Sequence, residues 1–105
     1  LFDYDVLVAD KDGLILGFVA YSQDELTWLY VDPAYYRTGI GGLLVRSALA
    51  ERPAGLCIEV LQGNEAALDF YKSIGFVESK IVNGWMPGNE AYPVTVHCLA
   101  YASNA

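Results

Sequence analysis

The stretch that decides the fold is Leu29-Tyr30-Val31-Asp32-Pro33-Ala34-Tyr35-Tyr36-Arg37-Thr38-Gly39-Ile40-Gly41-Gly42-Leu43-Leu44. An apolar run typical of a strand ends at the proline, a short polar link follows, and a glycine-rich turn opens a segment with helical periodicity. The start of a helix carries N–H groups without partners and the positive end of the helix macrodipole. Because glycines there let an anion come close to the backbone, the stretch predicts a phosphate-binding turn.

On the N-terminal side of this turn, the sequence predicts three strands in a meander. Two apolar runs, over residues 2–9 and 14–21, flank an Asp-Gly pair that is typical of a two-residue hairpin. A third run, over residues 25–31, alternates in the way expected of a strand with two different faces.

On the C-terminal side, the pattern predicts a helix over residues 39–52 and a short buried strand over residues 56–61. Asn64 is a good N-cap for a second helix, which Gly75 would end. Two further strands are predicted over residues 76–82 and 92–101, joined by a turn-rich connection over residues 83–90.

This order of elements predicts one domain over residues 1–105 of the α/β or α+β class. We expect a mixed, mostly antiparallel sheet with two helices. The strand-helix-strand order in the middle of the chain predicts a parallel β-α-β crossover.

Composition and charge restrict the partners. The 105 residues are 54% hydrophobic and 18% charged, with a net charge of −7, which indicates a globular chain. Nucleic-acid binding needs a surface of Lys and Arg, so the charge argues against it and suits a cationic partner such as an amine.

No apolar run reaches the roughly 20 residues of a membrane helix, and no signal peptide is visible, so we expect a cytoplasmic protein without membrane contact. Cys57 and Cys98 are expected to be buried thiols.

The glycine pattern does not match two common phosphate motifs. A dinucleotide-binding Gly-x-Gly-x-x-Gly would need glycine where Leu44 stands, and the P-loop sequence Gly-Lys-Ser/Thr is absent. Glycines that only allow a tight turn and close packing are therefore an alternative at this point.

Two segments resemble the motifs of the GNAT superfamily of N-acyltransferases. Val31-Asp32-Pro33, followed after five residues by Gly39-Ile40-Gly41-x-Leu43-Leu44, resembles its acyl-CoA-binding motif, and residues 64–76 resemble its second motif, Asn-x-x-Ala-x-x-Phe-Tyr-x-x-x-Gly-Phe. The resemblance implies a GNAT-like fold and an enzyme that uses acetyl-CoA and no metal. The acceptor would be a primary amine of a small molecule or a protein, attacking directly in a ternary complex.

The resemblance also implies roles for particular residues. The backbone of Leu29, Tyr30 and Val31 would bind the pantetheine amides of coenzyme A, to which Asn64 would also bind. Tyr71 matches the tyrosine that commonly protonates the departing thiolate, and Glu25 lies where some members place a general base. The pyrophosphate would be held by Arg37, Thr38, Gly39, Ile40, Gly41 and Gly42.

Each proposed side chain has a structural alternative. Tyr71 could only pack the helix face, Asn64 could act as an N-cap alone, and Glu25 could be a solvated acid at a strand edge. His97, the single histidine, is interpreted as a structural residue of the last strand.

The sequence departs from the GNAT pattern in two places. Tyr36 stands where the family usually has Gln or Arg, and the given sequence starts without the strand and helices that normally wall the acceptor site. We therefore expect either a fragment or an acceptor pocket that is pared down or completed by a second subunit. Two other functions are therefore left open: a non-catalytic CoA-binding or regulatory module, and a structural domain that forms a homodimer without any cofactor.

Overall fold

The computed structural model describes residues 4–86 and 88–101. The elements in this part of the chain follow the predicted order: β1 (Asp5–Lys11), β2 (Leu14–Tyr21), β3 (Leu26–Val31), a 3₁₀ helix (Pro33–Tyr35), α1 (Ile40–Glu51), β4 (Leu56–Leu61), α2 (Glu65–Ile74), β5 (Val77–Met86) and β6 (Asn89–Tyr101). The predicted α/β class with two helices and mostly antiparallel strands is confirmed. Phe2, where the first strand was predicted to begin, lies outside the described residues.

The strands form two sheets rather than one. β2 lies between β1 and β3 in the first sheet, and β6 lies between β4 and β5 in the second. The chain also divides into two compact units, the first ending at Leu56 and the second covering Cys57–Tyr101. Because β3 and β4 belong to different sheets, they are not a hydrogen-bonded pair. Their parallel direction and the single-domain organisation stay predictions.

The first hairpin has the turn that its sequence predicts. Asp12 and Gly13 connect β1 to β2, and both have positive φ angles, 54° and 83°. A type I′ turn requires positive φ at both central residues, which asparagine, aspartate and glycine tolerate best. The local sequence therefore sets the turn and the pairs beside it, and an irregularity between Ala9 and Asp10 then shifts the register.

Helix α1 packs on the first sheet and contacts all three of its strands. Its buried face is small and aliphatic, and it includes Leu44, Val45 and Ala48. Gly17 on β2 allows a close approach, since a Cβ there would lie 2.5 Å from the Tyr30 carbonyl oxygen and 3.3 Å from Leu44 Cδ1. This packing fixes the direction in which the first turn of α1 points.

The C-terminal end of α1 is tied to the same sheet by Arg52. Its Nε donates to the Ser22 carbonyl oxygen at 3.0 Å, and its guanidinium pairs with the Asp5 carboxylate. The guanidinium also lies 4.8 Å from the centre of the Tyr21 ring, a cation–π arrangement. Both ends of α1 are thus held in place, one by chain connection to β3 and the other by this side chain.

The second hairpin is longer than predicted. Residues 83–86 continue β5 and residues 89–91 extend β6, so most of the connection predicted over residues 83–90 is strand. Gly84 pairs with Val94, and the Thr95 hydroxyl donates to Asn83 Oδ1 at 2.7 Å. The prediction failed because Asn and Gly are local turn signals, whereas cross-strand pairing decides how far a hairpin extends.

Helix α2 begins and ends where its sequence predicts. Asn64 Oδ1 accepts a hydrogen bond from the Ala67 N–H at 3.2 Å, and Gly75, with a φ of 125°, ends the helix. The Tyr71 ring lies edge-on to Phe76, with 5.5 Å between ring centres, and Phe76 in turn contacts the Tyr101 ring. The buried face of α2, which includes Leu68 and Tyr71, therefore packs against aromatic rings of its own unit.

The two cysteines differ in exposure. Cys57 is exposed and Cys98 is half-buried. Side chains on β4 alternate, so that Leu56 and Ile58 are buried and Cys57 between them is not. The prediction of a buried thiol is wrong for Cys57 because an apolar run does not reveal which of its positions face inward.

Candidate functional site

The outer edge of β3 is unpaired within its own sheet, because β3 is the last strand in the order β1-β2-β3. The Asp32 N–H donates to the Leu16 carbonyl oxygen at 2.8 Å, and the register continues through Tyr30 opposite Phe18. Antiparallel pairs alternate between hydrogen-bonded and non-hydrogen-bonded, so the backbone groups of Leu29 and Val31 point away from β2. Leu29 and Val31 therefore offer N–H and C=O groups at an open edge, whereas Tyr30 is turned towards β2.

A bulge lies just before this edge. The pairing of β2 with β3 shifts between Ala20 opposite Trp28 and Tyr21 opposite Leu26, which leaves Thr27 as the extra residue. The Thr27 hydroxyl is buried and has no hydrogen-bond partner within the described part of the chain. A bulge reverses the alternation of side chains, which explains why Leu26 is buried and Trp28 is exposed.

Glu25 stands on the other side of the bulge. Its backbone is fixed by the preceding turn, since its N–H donates to Ser22 Oγ at 3.2 Å and its carbonyl accepts from the Ser22 N–H at 2.8 Å. Its side chain is half-buried. The residue is thus held in a defined position at the entry to β3, with the bulge between it and Leu29.

The link between β3 and α1 is held by local hydrogen bonds. The Asp32 carboxylate accepts from the Ala34 N–H at 3.0 Å at the start of the 3₁₀ helix, and the Thr38 hydroxyl donates to the Tyr35 carbonyl. Arg37 adopts the left-handed conformation with a φ of 64°. That conformation is unfavourable for a residue with a Cβ, so the link stores strain at the residue predicted to bind phosphate.

The first turn of α1 has no polar side chain to satisfy it. Its N-cap is Gly39, with a φ of 88°, and no side chain in the described residues makes a capping hydrogen bond there. No acidic residue stands in the first turn, which begins Ile40-Gly41-Gly42. The N–H groups of this turn therefore have to bind solvent or a ligand, and the positive end of the helix is not neutralised.

One cation near this turn, Arg46, was not predicted from the sequence. The Arg46 side chain extends back along α1, and its Nη1 lies 2.8 Å from where a Cβ of Gly42 would be. The spacing of four residues between Gly42 and Arg46 is the signal that could have found it, because such pairs are neighbours on a helix face.

In the second unit, Asn64 has one confirmed role. Its side-chain oxygen is the N-cap acceptor of α2, and its Nδ2 group is a donor that a ligand can use. Tyr71 is buried, with 6% of its surface exposed, and its ring contacts Phe70 as well as Phe76. The packing role of Tyr71 and the capping role of Asn64 are therefore present whether or not either residue binds a ligand.

Burial also changes the acidity of Tyr71. Removal of the phenol from water raises its pKa from 10.0 to about 12. The hydroxyl stays protonated at neutral pH and can donate a proton or a hydrogen bond. It is a weaker acid than the free side chain, so proton transfer to a thiolate is favourable only where burial raises the pKa of that thiol as well.

His97 has a partner on the neighbouring strand, as a structural residue would. Its Nδ1 bonds to the Glu78 carboxylate across β5 and β6. The hydrogen bond with His97 is the main reason why the pKa of Glu78 lies below its usual range. This pair supports the interpretation of His97 as a residue that links the two strands.

The predicted site residues fall into two groups. The residues of β3, the link and the start of α1 belong to the first unit, as does Glu25, and Asn64 and Tyr71 belong to the second. Within residues 4–86 and 88–101, no cluster of three or more His, Cys, Asp or Glu side chains could hold a metal ion. In the same residues, no helix is long and apolar enough to span a membrane.

Comparison with known proteins gives the family. The model of the acetyltransferase (GNAT) domain matches residues 2–78. The peptidyl-lysine N-acetyltransferase YjaB of Salmonella typhimurium is 38% identical over 71 residues, which are 68% of this chain and 48% of that protein. In general, the chain spans about half the length of the curated relatives it matches.

Solved structures agree with this match. The ribosomal-protein-S18-alanine N-acetyltransferase of Escherichia coli has a TM-score of 0.79 at 26% identity, over 97% of this chain and 71% of that one. NAA60 of Arabidopsis thaliana, crystallised with acetyl-CoA, has a TM-score of 0.81 at 16% identity, over 98% and 78% of the two chains, and shows the same fold. The chain therefore belongs to the GNAT family of acetyltransferases.

Proposed function

We propose that this chain binds acetyl-CoA and transfers its acetyl group to a primary amine. The observation that carries the proposal is the start of α1, which is rich in glycine, has no acidic residue and has no side-chain cap among residues 4–86 and 88–101. It follows directly on a strand whose outer edge is unpaired in its sheet. Membership of the GNAT family supports acetyl-CoA as the donor.

The two features suit the two ends of the donor. The first-turn N–H groups of α1 and the Arg37 guanidinium are donors for the diphosphate, because both concentrate positive charge. The outward N–H and C=O groups of Leu29 and Val31 can pair with the pantetheine amides as with an added strand. Asn64 would add a donor through its Nδ2, since its oxygen is used by the helix.

The proposed reaction is a direct transfer and needs no covalent intermediate on the protein. The amine nitrogen forms a bond to the acetyl carbon, the carbon–sulfur bond breaks, the nitrogen loses a proton and the thiolate gains one. Positioning and fixed dipoles supply most of the required acceleration. A backbone N–H at the open edge of β3 would stabilise negative charge on the thioester oxygen.

Two side chains are proposed for the proton transfers. Tyr71 is neutral at physiological pH and would donate its proton to the departing thiolate. Glu25, which is half-buried and held by the Ser22 turn, would accept the proton from the amine, directly or through water.

The acceptor class proposed is an amine of a protein. The relative that is 38% identical is named for peptidyl-lysine, and the solved structure at 26% identity is named for an alanine of a ribosomal protein. A net charge of −7 also favours a cationic acceptor. Small-molecule amines are the competing class that the experiment has to separate.

Binding and turnover test the proposal in sequence. We expect millimolar acetyl-CoA to raise the melting temperature, because a ligand at 100 times its Kd stabilises the folded state by about 2.7 kcal/mol. We then expect release of free CoA thiol with a lysine peptide or an N-terminal alanine peptide, faster than with a polyamine. Absence of any thermal shift contradicts the proposal as a whole. A shift without thiol release from any amine indicates a CoA-binding module without activity.

Substitutions test the two side chains. Tyr71→Phe should lower kcat by about tenfold or more with little change in acetyl-CoA affinity, since the proton donor is lost and the packing is kept. Glu25→Gln should remove the acidic limb of the pH–rate profile. An unchanged kcat or an unchanged profile would show that the residue concerned has only a structural role.

A further inference from the structure

The side chain of Arg46 lies over Gly42 in the first turn of α1. It starts one helical turn after Gly42 and runs towards the N-terminus, as side chains on helices do. Its Nη1 lies 2.8 Å and its Cζ 3.6 Å from the point where a Gly42 Cβ would be. The space left by the missing side chain is thus occupied by the guanidinium, which comes to lie beside the first turn of the helix.

A cation is electrostatically unfavourable in that position. The N-terminus of a helix carries the equivalent of about half a positive charge, so a nearby guanidinium is repelled by it. No acidic residue in the first turn offsets this repulsion. The arrangement therefore concentrates positive charge that the helix itself does not balance.

The arginines near this turn differ from the third arginine of the chain. Arg52 forms an ion pair with Asp5, whereas no carboxylate within residues 4–86 and 88–101 forms an ion pair with Arg37 or Arg46. The chain has six Lys and Arg residues against thirteen Asp and Glu. Two arginines without acidic partners beside one helix start are therefore a local exception to an acidic protein, and an anion would balance them.

We infer that Arg46 binds a phosphate group of the CoA donor, beside the first-turn N–H groups of α1. The inference rests on the proposed function and adds a residue to its binding site. A guanidinium presents paired N–H donors that match two oxygens of one phosphate. Because Gly42 leaves room for it, the guanidinium lies beside the first turn, within reach of a phosphate bound there.

Three ligands and a matched variant test this inference. Isothermal titration of CoA, dephospho-CoA and pantetheine is compared for the wild type, Arg46→Gln and the control Lys11→Gln, which removes one exposed positive charge from the β1–β2 hairpin. We expect Arg46→Gln to weaken CoA binding about tenfold or more, the usual size of a charge-assisted hydrogen bond. Pantetheine binding, and CoA binding by the control, should stay within twofold.

The ligand series also identifies the phosphate. An equal loss for CoA and dephospho-CoA assigns Arg46 to the diphosphate, and a loss confined to CoA assigns it to the 3′-phosphate; either result supports the inference. An Arg46→Gln variant that binds CoA as tightly as the wild type, or that loses pantetheine affinity equally, overturns it. A wild type that binds no CoA at millimolar concentration overturns the proposed function and this inference together.

A double-mutant cycle tests the role of Gly42 in this arrangement. Gly42→Ala places a methyl group where the guanidinium lies and should weaken CoA binding several-fold while raising the melting temperature, since alanine favours helix more than glycine. In an Arg46→Gln background the same change should have almost no effect on affinity, because the shorter side chain no longer fills that space. Additive losses would contradict the arrangement.

Discussion

The two helices of this chain begin in opposite ways. Helix α2 is capped by the Asn64 side chain, which accepts from the Ala67 N–H, and it carries Glu65 in its first turn, which compensates its dipole. Helix α1 begins at Gly39 with no acidic residue and a guanidinium close by, and no side chain among the described residues caps it. Of the two helices, α2 has a side-chain cap and an acidic first turn, and α1 has neither within residues 4–86 and 88–101. The difference at α1 supports the proposed phosphate site.

The largest expected effect comes from making the start of α1 resemble that of α2. Gly41→Glu places a carboxylate in the first turn, and we expect it to lower CoA affinity about 100-fold or more through bulk and repulsion of phosphate. The melting temperature should stay the same or rise, because an acid at this position favours the helix dipole.

The matched control adds the same carboxylate to the other helix. Ala66→Glu stands at the equivalent position of α2, where Ala66 is exposed, and should leave CoA affinity within about twofold. Titration calorimetry on both variants measures the difference. A Gly41→Glu protein that still binds CoA would mean that the phosphates lie elsewhere.

The next largest effect concerns the buried side chain of Tyr71 on α2 and its raised pKa. The pKa of Tyr71 is about 12 in the folded protein and 10.0 when unfolded, so the unfolded chain loses this proton first as pH rises. The resulting stability is fully present below pH 10 and lost between about pH 10 and pH 12, by at most about 2–3 kcal/mol. Tyr71→Phe should remove that loss from urea denaturation curves measured across this range. Tyr36→Phe, at an exposed tyrosine, should leave it in place.

The cap of α2 predicts a smaller effect. Asn64→Ala should destabilise the protein by about 1 kcal/mol, which lowers the melting temperature by roughly 4–8 °C in a domain of this size. Asn64→Asp keeps the accepting oxygen and should retain stability, but it loses the Nδ2 donor. If Asn64 also binds pantetheine, CoA affinity falls several-fold in Asn64→Asp at unchanged stability. An affinity equal to that of the wild type would leave Asn64 as an N-cap alone.

The smallest effect comes from the strained link before α1. Arg37→Gly removes a Cβ from a left-handed residue and should raise stability slightly, by up to about 1 kcal/mol, while CoA affinity falls several-fold with the loss of a phosphate ligand. Asp12→Gly relieves a similar conformation in the first hairpin and should change stability alone. Equal affinity of the Arg37→Gly protein and the wild type would show that Arg37 does not contact the phosphates.

Local sequence signals predicted most elements, and the predictions that were wrong share one cause. The Asp12-Gly13 turn and the Asn64 and Gly75 helix limits depend on neighbouring residues, and all are confirmed. The length of the second hairpin and the exposure of Cys57 depend on partners far along the chain, and both predictions were wrong. A turn is set by the φ preferences of two or three residues, whereas strand length and side-chain direction are set by pairing.

Features of the candidate site also differ in whether a short segment or a distant strand determines them. The phosphate-binding turn was predicted from its glycines, because an unpaired helix start is a property of a short segment. The outward direction of Leu29 and Val31, and the bulge at Thr27 before them, follow from the register between β2 and β3.

The sequence by itself determined the family, the order of elements and the glycine-rich start of α1, since each depends on residue types at fixed spacing. Only the tertiary structure decided that the backbone groups of Leu29 and Val31 point away from β2 and that burial raises the pKa of Tyr71. The first depends on strand register and the second on the dielectric around a side chain. These are properties of the packed neighbours and not of the residue itself.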